Sequence, residues 1–493
     1  MADYGARHHL APVSGTVEES DPSPTAAAWR EIGEETTLTQ KSLILVRQGK
    51  SFTFVDDSIG RQWTIYPFAF RLKTPEEGGA GEDGIHIDWE HDSWEWHDPH
   101  QVEDSETFGG VPRLSESLRR VYFEIEIGAG AGKVLSDGLE TLRKDHQSGA
   151  RQLAGTALEI LRDVIQQLDD PRPSQDWWRK VRLVSWHIWK NGRESMGAAI
   201  MTVLVAALKN IELQNRTLEE AAADIDWKGQ ILGGVDKTIA ARGIESAERI
   251  SNALAKYLEE TFAAKLLAHG RLSILTLSES STIALGLPYL ARRSGFDLDI
   301  RVLESRPLFE GVSLAGKLVE ELQSSEPASK MTVALYPDAA VALAAHGADI
   351  VLLGADRVAE AGEVSNKTGS LPAILSAKYV ATSQGRDLKV VVLAESEKVA
   401  PPGDISTHVV EENDPVQVTR AWRHRDNSDR VRDGADAISR ASDQVTVRNV
   451  FFEWCPTDLI DVYITEHGVW TVDDIAKQSR QLGAEQERFF GDL

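Results

Sequence analysis

The sequence predicts a multidomain chain with three folding patterns in succession. These are an α+β region at the amino end, a helical middle, and a carboxyl-terminal α/β doubly wound sheet. Three observations carry this. Residues 270–493 alternate short apolar runs with helical stretches over short linkers, which predicts a mostly parallel sheet. Residues 115–265 repeat their apolar positions at helical spacing nearly throughout. Residues 1–122 mix short strands with one early helix and an acidic, glycine-rich loop, KTPEEGGAGEDG at 73–84, that has no capacity to pack. A length of 493 residues also favours about three domains, placed at 1–122, 123–268 and 269–493.

In chain order, strands are expected at 42–46, 52–55 and 63–72, with a tryptophan-rich strand pair at 85–97, IHIDWEHDSWEWH. Helical spacing follows at 149–168, 181–189, 196–211 and 247–267, with Pro171 and Pro173 separating the first two. Further strands are expected at 272–277, 299–303, 331–335, 350–353, 389–393 and 447–450, and helices at 281–293, 314–322, 339–346 and 371–382. The polar stretch 423–444 interrupts the alternation as an exposed insertion. No period of 20–50 residues repeats, so a solenoid is not expected.

At 42% hydrophobic and 26% charged, the composition is that of ordinary globular protein. The net charge of −24 argues against nucleic acid as a partner, because that binding rests on cationic patches. Anionic substrates would need local positive sites. One cysteine, Cys455, excludes an intrachain disulfide and a cysteine-rich zinc site, and suits a reducing compartment. The first residues hold no apolar signal core, and the apolar run near 196–208 is too short to span a bilayer. A cytoplasmic chain without a membrane partner is expected.

The block VLLGADRVAEAGEVSNKTGS at 351–370 is the most informative one. Ligands of open α/β sheets sit beyond the carboxyl ends of strands. Asp356 therefore falls at a strand tip, with Asn366 and Lys367 on the neighbouring loop. A carboxylate beside a lysine suits proton shuttling on a phosphorylated substrate; a turn aspartate and a solvated lysine is the plainer alternative. ESRP at 304–307 sets Arg306 at another strand tip ahead of Gly311, and NGRESM at 191–196 sets Arg193 before a helix. ILTLSESSTI at 274–283 passes from strand to helix through Ser278 and Glu279, and such hydroxyls and free amides can form an anion site. Near the amino end, Glu31, Glu34 and Glu35 share one helical face. That face is either simply acidic or holds magnesium, which takes oxygen ligands.

Two resemblances sharpen these readings. Gly15 followed by Arg30, Glu31, Ile32, Glu34 and Glu35 resembles the Nudix box over about residues 1–122. It implies Mg2+ held by Glu31, Glu34 and Glu35, with Glu34 catalytic, and water attacking a nucleoside-diphosphate-type linkage. Thr37 stands where that pattern has glycine, and only 14 residues precede Gly15, which leaves the opening strand short or missing. From 115 to 493 the ordered blocks SGARQLA, NGRESM, ILTLSES, ESRP with Gly311, GADRV, SNKTGS and FFEWCPTDLIDVYITEHGV resemble the initiation factor 2B alpha/beta/delta family, which includes methylthioribose-1-phosphate and ribose-1,5-bisphosphate isomerases. This resemblance implies a helical domain before a Rossmann-like domain that dimerises, with no cofactor.

By that resemblance Asp356 is the catalytic aspartate, Asn366 and Lys367 position substrate, and Arg193 and Arg306 bind substrate or phosphate. Ser278 stands where the isomerases have their catalytic cysteine, and Ser148 replaces an arginine. A thiol ionises near pH 8.5, whereas a serine hydroxyl is a far weaker acid. Three functional readings follow. The chain binds a phosphorylated sugar or nucleotide in an isomerase-like pocket, hydrolyses diphosphates with magnesium, or serves as a non-catalytic subunit beside translation-factor subunits.

Overall fold

The computed structural model describes residues 10–57, 60–146, 148–170, 172–219, 226–241, 244–293, 295–324, 331–408, 411–441 and 444–493. Pro171, expected to break two helices apart, lies outside them.

The amino-terminal region opens with helix Pro24–Thr36, capped by the Ser23 hydroxyl on the Ala26 amide. Its Ile32, with Leu38 and Leu43, forms a small core completed by Trp29, Phe70 and Leu72. The strand expected over 63–72 is two strands, Arg61–Ile65 and Phe68–Leu72, parted by Pro67, whose missing amide interrupts a ladder. They pair with different partners, Phe52–Asp56 and Leu43–Gln48 respectively. The strand pair expected at 85–97 does not form. Its alternation of tryptophans faces no ladder; Trp89 and Trp96 are exposed, and the Trp96 indole donates to Glu82.

Helices run from Leu114 to His269 among the described residues and bury one large core. Helix Gly197–Glu219 crosses it with Ile200, Met201, Leu204, Leu208 and Ile211 fully buried. By length and composition Glu194–Gln214 passes for a membrane span, longer than the sequence reading allowed, yet 67% of that window is buried within the protein. The last helix, Val472–Phe490, returns from the far end of the chain to place Phe489 and Phe490 in this same core.

The carboxyl-terminal sheet has seven strands. The chain enters at Arg271–Leu277 in the interior, adds Asp297–Leu303 and Met331–Tyr336 outward on one side, then returns to lay Ile350–Leu353 on the other. Lys389–Leu393 and Val462–Thr465 continue in parallel, and Gly468–Trp470 closes the edge antiparallel. Alternation of side chains across the pleat sends Ile350 and Leu352 to one face and Val351 and Leu353 to the other. Helices Ile244–Thr261 and Ser281–Arg293 cover the first face, and Ser370–Ser383 covers the second. Four fully apolar residues in a row are what a strand buried on both faces requires.

Two expectations are corrected near the site. Asn366 and Lys367 end a strand, Val364–Lys367, not a loop; it is held antiparallel between Arg357–Val358 and Phe452–Cys455. The strand expected at 447–450 is reduced to a bridge from Val450 to Glu412, and the ladder forms instead at Phe452–Cys455, which pairs with Val364–Lys367. In 423–444, helix Asp429–Arg440 forms, largely exposed.

Candidate functional site

The order of the sheet reverses between Arg271–Leu277 and Ile350–Leu353, and the crevice at such a reversal is where open α/β sheets bind ligands. The first of these strands delivers Ser278 and the second delivers Asp356. Gly354 makes the approach possible, since a Cβ there would lie 2.9 Å from the Ser280 hydroxyl.

Ser278 is held in the left-handed region at φ 63°, as are Ser305 at 60° and Phe309 at 59°. Backbone outliers of this kind persist only where surrounding bonds fix them. Here the Ser278 amide donates to the Ser305 hydroxyl at 2.8 Å, while the Ser305 and Arg306 amides both donate to the Asp338 carboxylate at 2.8 Å. Gly311 lets the following helix, Glu310–Ser324, lie against the preceding strand, because a Cβ there would be 1.8 Å from the Leu303 carbonyl oxygen. That packing aims Glu310 inward. Its carboxylate accepts from the Ser278 hydroxyl at 3.2 Å and from the Lys367 ammonium at 2.9 Å.

Lys367 stands over the rings of Phe451 and Phe452, 4.8 and 4.7 Å from their centroids. The Asn366 amide donates to the Ser370 hydroxyl at 2.9 Å and is buried. A shallow cleft of about 20 Å3 opens here, walled by Arg306, Glu310, Lys367 and Phe451 among others. Arg306 is exposed at its rim, over Phe309.

Burial raises the Asp356 carboxyl above the usual carboxylate range; Lys398, Lys367 and Arg193 oppose the rise, and Glu310 adds to it. Lys398 is itself buried, at 3.0 Å from Glu395, whose other oxygen accepts from the Thr282 hydroxyl at 3.0 Å. Burial pushes Glu395 up, yet Lys398 and Thr282 more than offset it and hold the carboxyl at about 2.

Arg193 is buried and committed. It donates to Glu411 at 2.7 and 3.2 Å and to the Asp145 carbonyl at 2.5 Å, so a phosphate could take it only as Glu411 yields. Ser148 donates its amide to Asp145 at 2.8 Å. Glu279 is salt-bridged to Lys317 on the outer helix. Cys455 is fully buried, and burial pushes its thiol to about 12.

Sequence reading missed Glu310, Glu411, Lys398 and Glu395. Glu310 directly precedes Gly311, and Glu395 follows the strand Lys389–Leu393, so the strand-tip rule applied to every strand flags the latter.

In the amino-terminal region Arg30 lies among the carboxylates. It donates to Asp21 at 2.9 Å, Glu31 at 2.8 Å and Glu34 at 3.2 Å. Glu35 turns away from Arg30 into the protein, where burial pushes its carboxyl to about 7 against the pull of His91. One of its oxygens has no hydrogen-bond partner. Among the described residues no three His, Cys, Asp or Glu side chains converge closely enough to hold a metal ion. In this arrangement Arg30 supplies positive charge to two of the three glutamates, Glu31 and Glu34.

The sequence model of the initiation factor 2 subunit family matches residues 146–472, and that of the NUDIX domain matches 3–120. Methylthioribose-1-phosphate isomerase of Geobacillus kaustophilus is 29% identical over 37% of this chain and 44% of its own. Ribose 1,5-bisphosphate isomerase of Haloterrigena turkmenica is 29% identical over 42% of this chain and 57% of its own. The chain thus spans about half the length of these curated relatives. The crystal structure of Pyrococcus horikoshii translation initiation factor eIF-2B aligns over 68% of this chain and 96% of that one, at 21% identity and a TM-score of 0.47.

Proposed function

This chain belongs to the initiation factor 2 subunit family, and we propose that its strand-tip cleft binds a phosphorylated sugar. One observation carries the reading: Lys367, Glu310 and Ser278 meet in a single hydrogen-bonded group beside Asp356. An ammonium has three donors, so Lys367 serves Glu310 and still offers donors to a phosphate. Arg306 at the rim adds a planar fork suited to phosphate oxygens. Asp356 and Glu310 face the sugar hydroxyls as acceptors. The relatives' names, methylthioribose-1-phosphate and ribose 1,5-bisphosphate isomerase, suggest pentose 1-phosphates as ligands.

Binding is the function proposed, rather than turnover. Aldose–ketose exchange needs a base to move a proton between neighbouring carbons and an acid to exchange protons with the sugar oxygens. Asp356, with its raised pKa, suits one of these roles. Ser278 does not suit the other, since its hydroxyl donates to Glu310 and is too weak an acid. Titration calorimetry with ribose 1-phosphate and ribose 1,5-bisphosphate tests the reading. Saturable heat should appear, and Lys367→Ala should weaken it at least tenfold, about 1.4 kcal/mol. No heat with either ligand, or equal affinity in the variant, refutes it.

A further inference from the structure

Three donor residues of the helical region converge on one carboxylate. Arg193 and Ser195 follow helix Gln175–Asn191, and His146 lies just past helix Ala129–Lys144. The Arg193 guanidinium presents Nε and Nη2 to Glu411 at 3.2 and 2.7 Å, and the Ser195 hydroxyl donates to the same carboxylate. The remaining Arg193 nitrogen, Nη1, is fixed on the Asp145 carbonyl, which aims the fork. Arg193 and Ser195 are both buried.

Glu411 does not satisfy every donor around it. The buried Nδ1 of His146 has no hydrogen-bond partner among the described residues and stands 3.6 Å from Glu411 Oε1. That nitrogen can carry a proton to donate. The carboxylate has only two oxygens in one plane. Oε2 takes the Arg193 Nε and the Ser195 hydroxyl, and Oε1 takes the Arg193 Nη2. A phosphoryl group offers three acceptor oxygens, and guanidinium forks match phosphate as they match carboxylate. It can keep the fork and the hydroxyl and still give an oxygen to His146. The donor set thus suits a phosphoryl group more fully than the side chain that fills it.

This pocket adjoins the strand-tip cleft. The His146 ring packs on Phe451 with centroids 6.5 Å apart, and the Lys367 ammonium stands 4.8 Å from the same ring. The backbone beyond Glu411 is pinned there too: Glu412 bridges Val450, and the Asn413 amide donates to the Asn449 carbonyl at 2.9 Å. We propose that Glu411 is an internal competitor, which occupies a phosphoryl subsite made by Arg193, Ser195 and His146, and that a phosphorylated ligand enters by turning it out. The inference rests on the sugar-phosphate reading for the identity of that ligand, while the subsite stands on its own donors. Because Glu411 is tethered beside Arg193, its effective concentration there is high, and a free phosphate must outcompete it. His146 is 41% exposed, which leaves water on that side for the displaced carboxylate.

The test is calorimetric titration of the full chain with inorganic phosphate. Glu411→Gln should bind phosphate at least tenfold more tightly than the parent, and adding Arg193→Gln should remove that gain. Phosphate should also raise the melting temperature of Glu411→Gln more than that of the parent, because it returns a counter-charge to buried Arg193. Glu411→Asp keeps a counter-charge but withdraws it by one methylene. It should gain severalfold in phosphate affinity and serves if the glutamine variant fails to fold. Phosphate affinity equal to the parent's in whichever variant folds overturns the inference, as does a gain that survives Arg193→Gln. Failure of the sugar reading shows elsewhere, as a ribose 1-phosphate affinity that Lys367→Ala leaves unchanged.

Discussion

Replacing Lys398 by methionine removes a buried ammonium and keeps a stem of similar length. Lys398 and Glu395 are 7% and 3% exposed, and their charged atoms lie 3.0 Å apart. At an effective dielectric of about 20, two unit charges 3.0 Å apart attract by roughly 5–6 kcal/mol. The titration gives a similar scale. A carboxyl held at about 2 instead of its ordinary 4.5 contributes about 3 kcal/mol above pH 4.5, lost as the pH falls toward 2. The single variant leaves Glu395 with the Thr282 hydroxyl but no counter-charge, so it should lose about 3–5 kcal/mol in urea unfolding at pH 7. Most of that loss is the cost of a stranded charge. The double variant Lys398→Met/Glu395→Gln should therefore come within about 1 kcal/mol of the parent. A single variant that loses less than about 1 kcal/mol, or a double variant no better than the single, refutes the reasoning.

The Glu35 carboxyl, pushed to about 7 by burial, keeps its proton while the unfolded chain has released it above 4.5. Stability should accordingly fall as the pH rises from 4.5 to 7. In chelator, Glu35→Gln should gain melting temperature over the parent at pH 8 but not at pH 5, and a pH-independent difference contradicts this. Gly311→Ala sets a Cβ 1.8 Å from a backbone oxygen and should cost about 3 kcal/mol in thermal unfolding. Gly316→Ala on the same helix meets nothing within 4 Å and should instead stabilise by about 0.5–1 kcal/mol; equal effects for the two would remove the packing explanation.

Much of the fold is legible in order along the chain. Ile350–Leu353 and Lys389–Leu393 form where the apolar runs predict, as does helix Ser281–Arg293, because length and burial on both faces leave such runs one favourable state. The misreadings share a cause. Residues 85–97 have strand-like alternation but no strand partner, and 447–450 reach only a single bridge from Val450 to Glu412, while Phe452–Cys455 has both alternation and a ladder. Pairing is a non-local property, and periodicity does not report it.

For the site, the sequence by itself determined family membership and the strand tip that carries Asp356, because ordered blocks and apolar runs are written locally. Its spacing placed three glutamates on one helical face, but only the tertiary structure put Arg30 against two of them and turned the third inward. Folding likewise decided that Glu310 stands beside Ser278, that Lys398 faces Glu395 near Asp356, and that Arg193 is held by Glu411. Each of those pairs joins different elements, apart from Lys398 and Glu395, which share one turn. Their charges interact only once the sheet's reversal and the Gly311 contact bring them out of water and into reach, which is where a few ångströms of distance change an interaction by several kcal/mol.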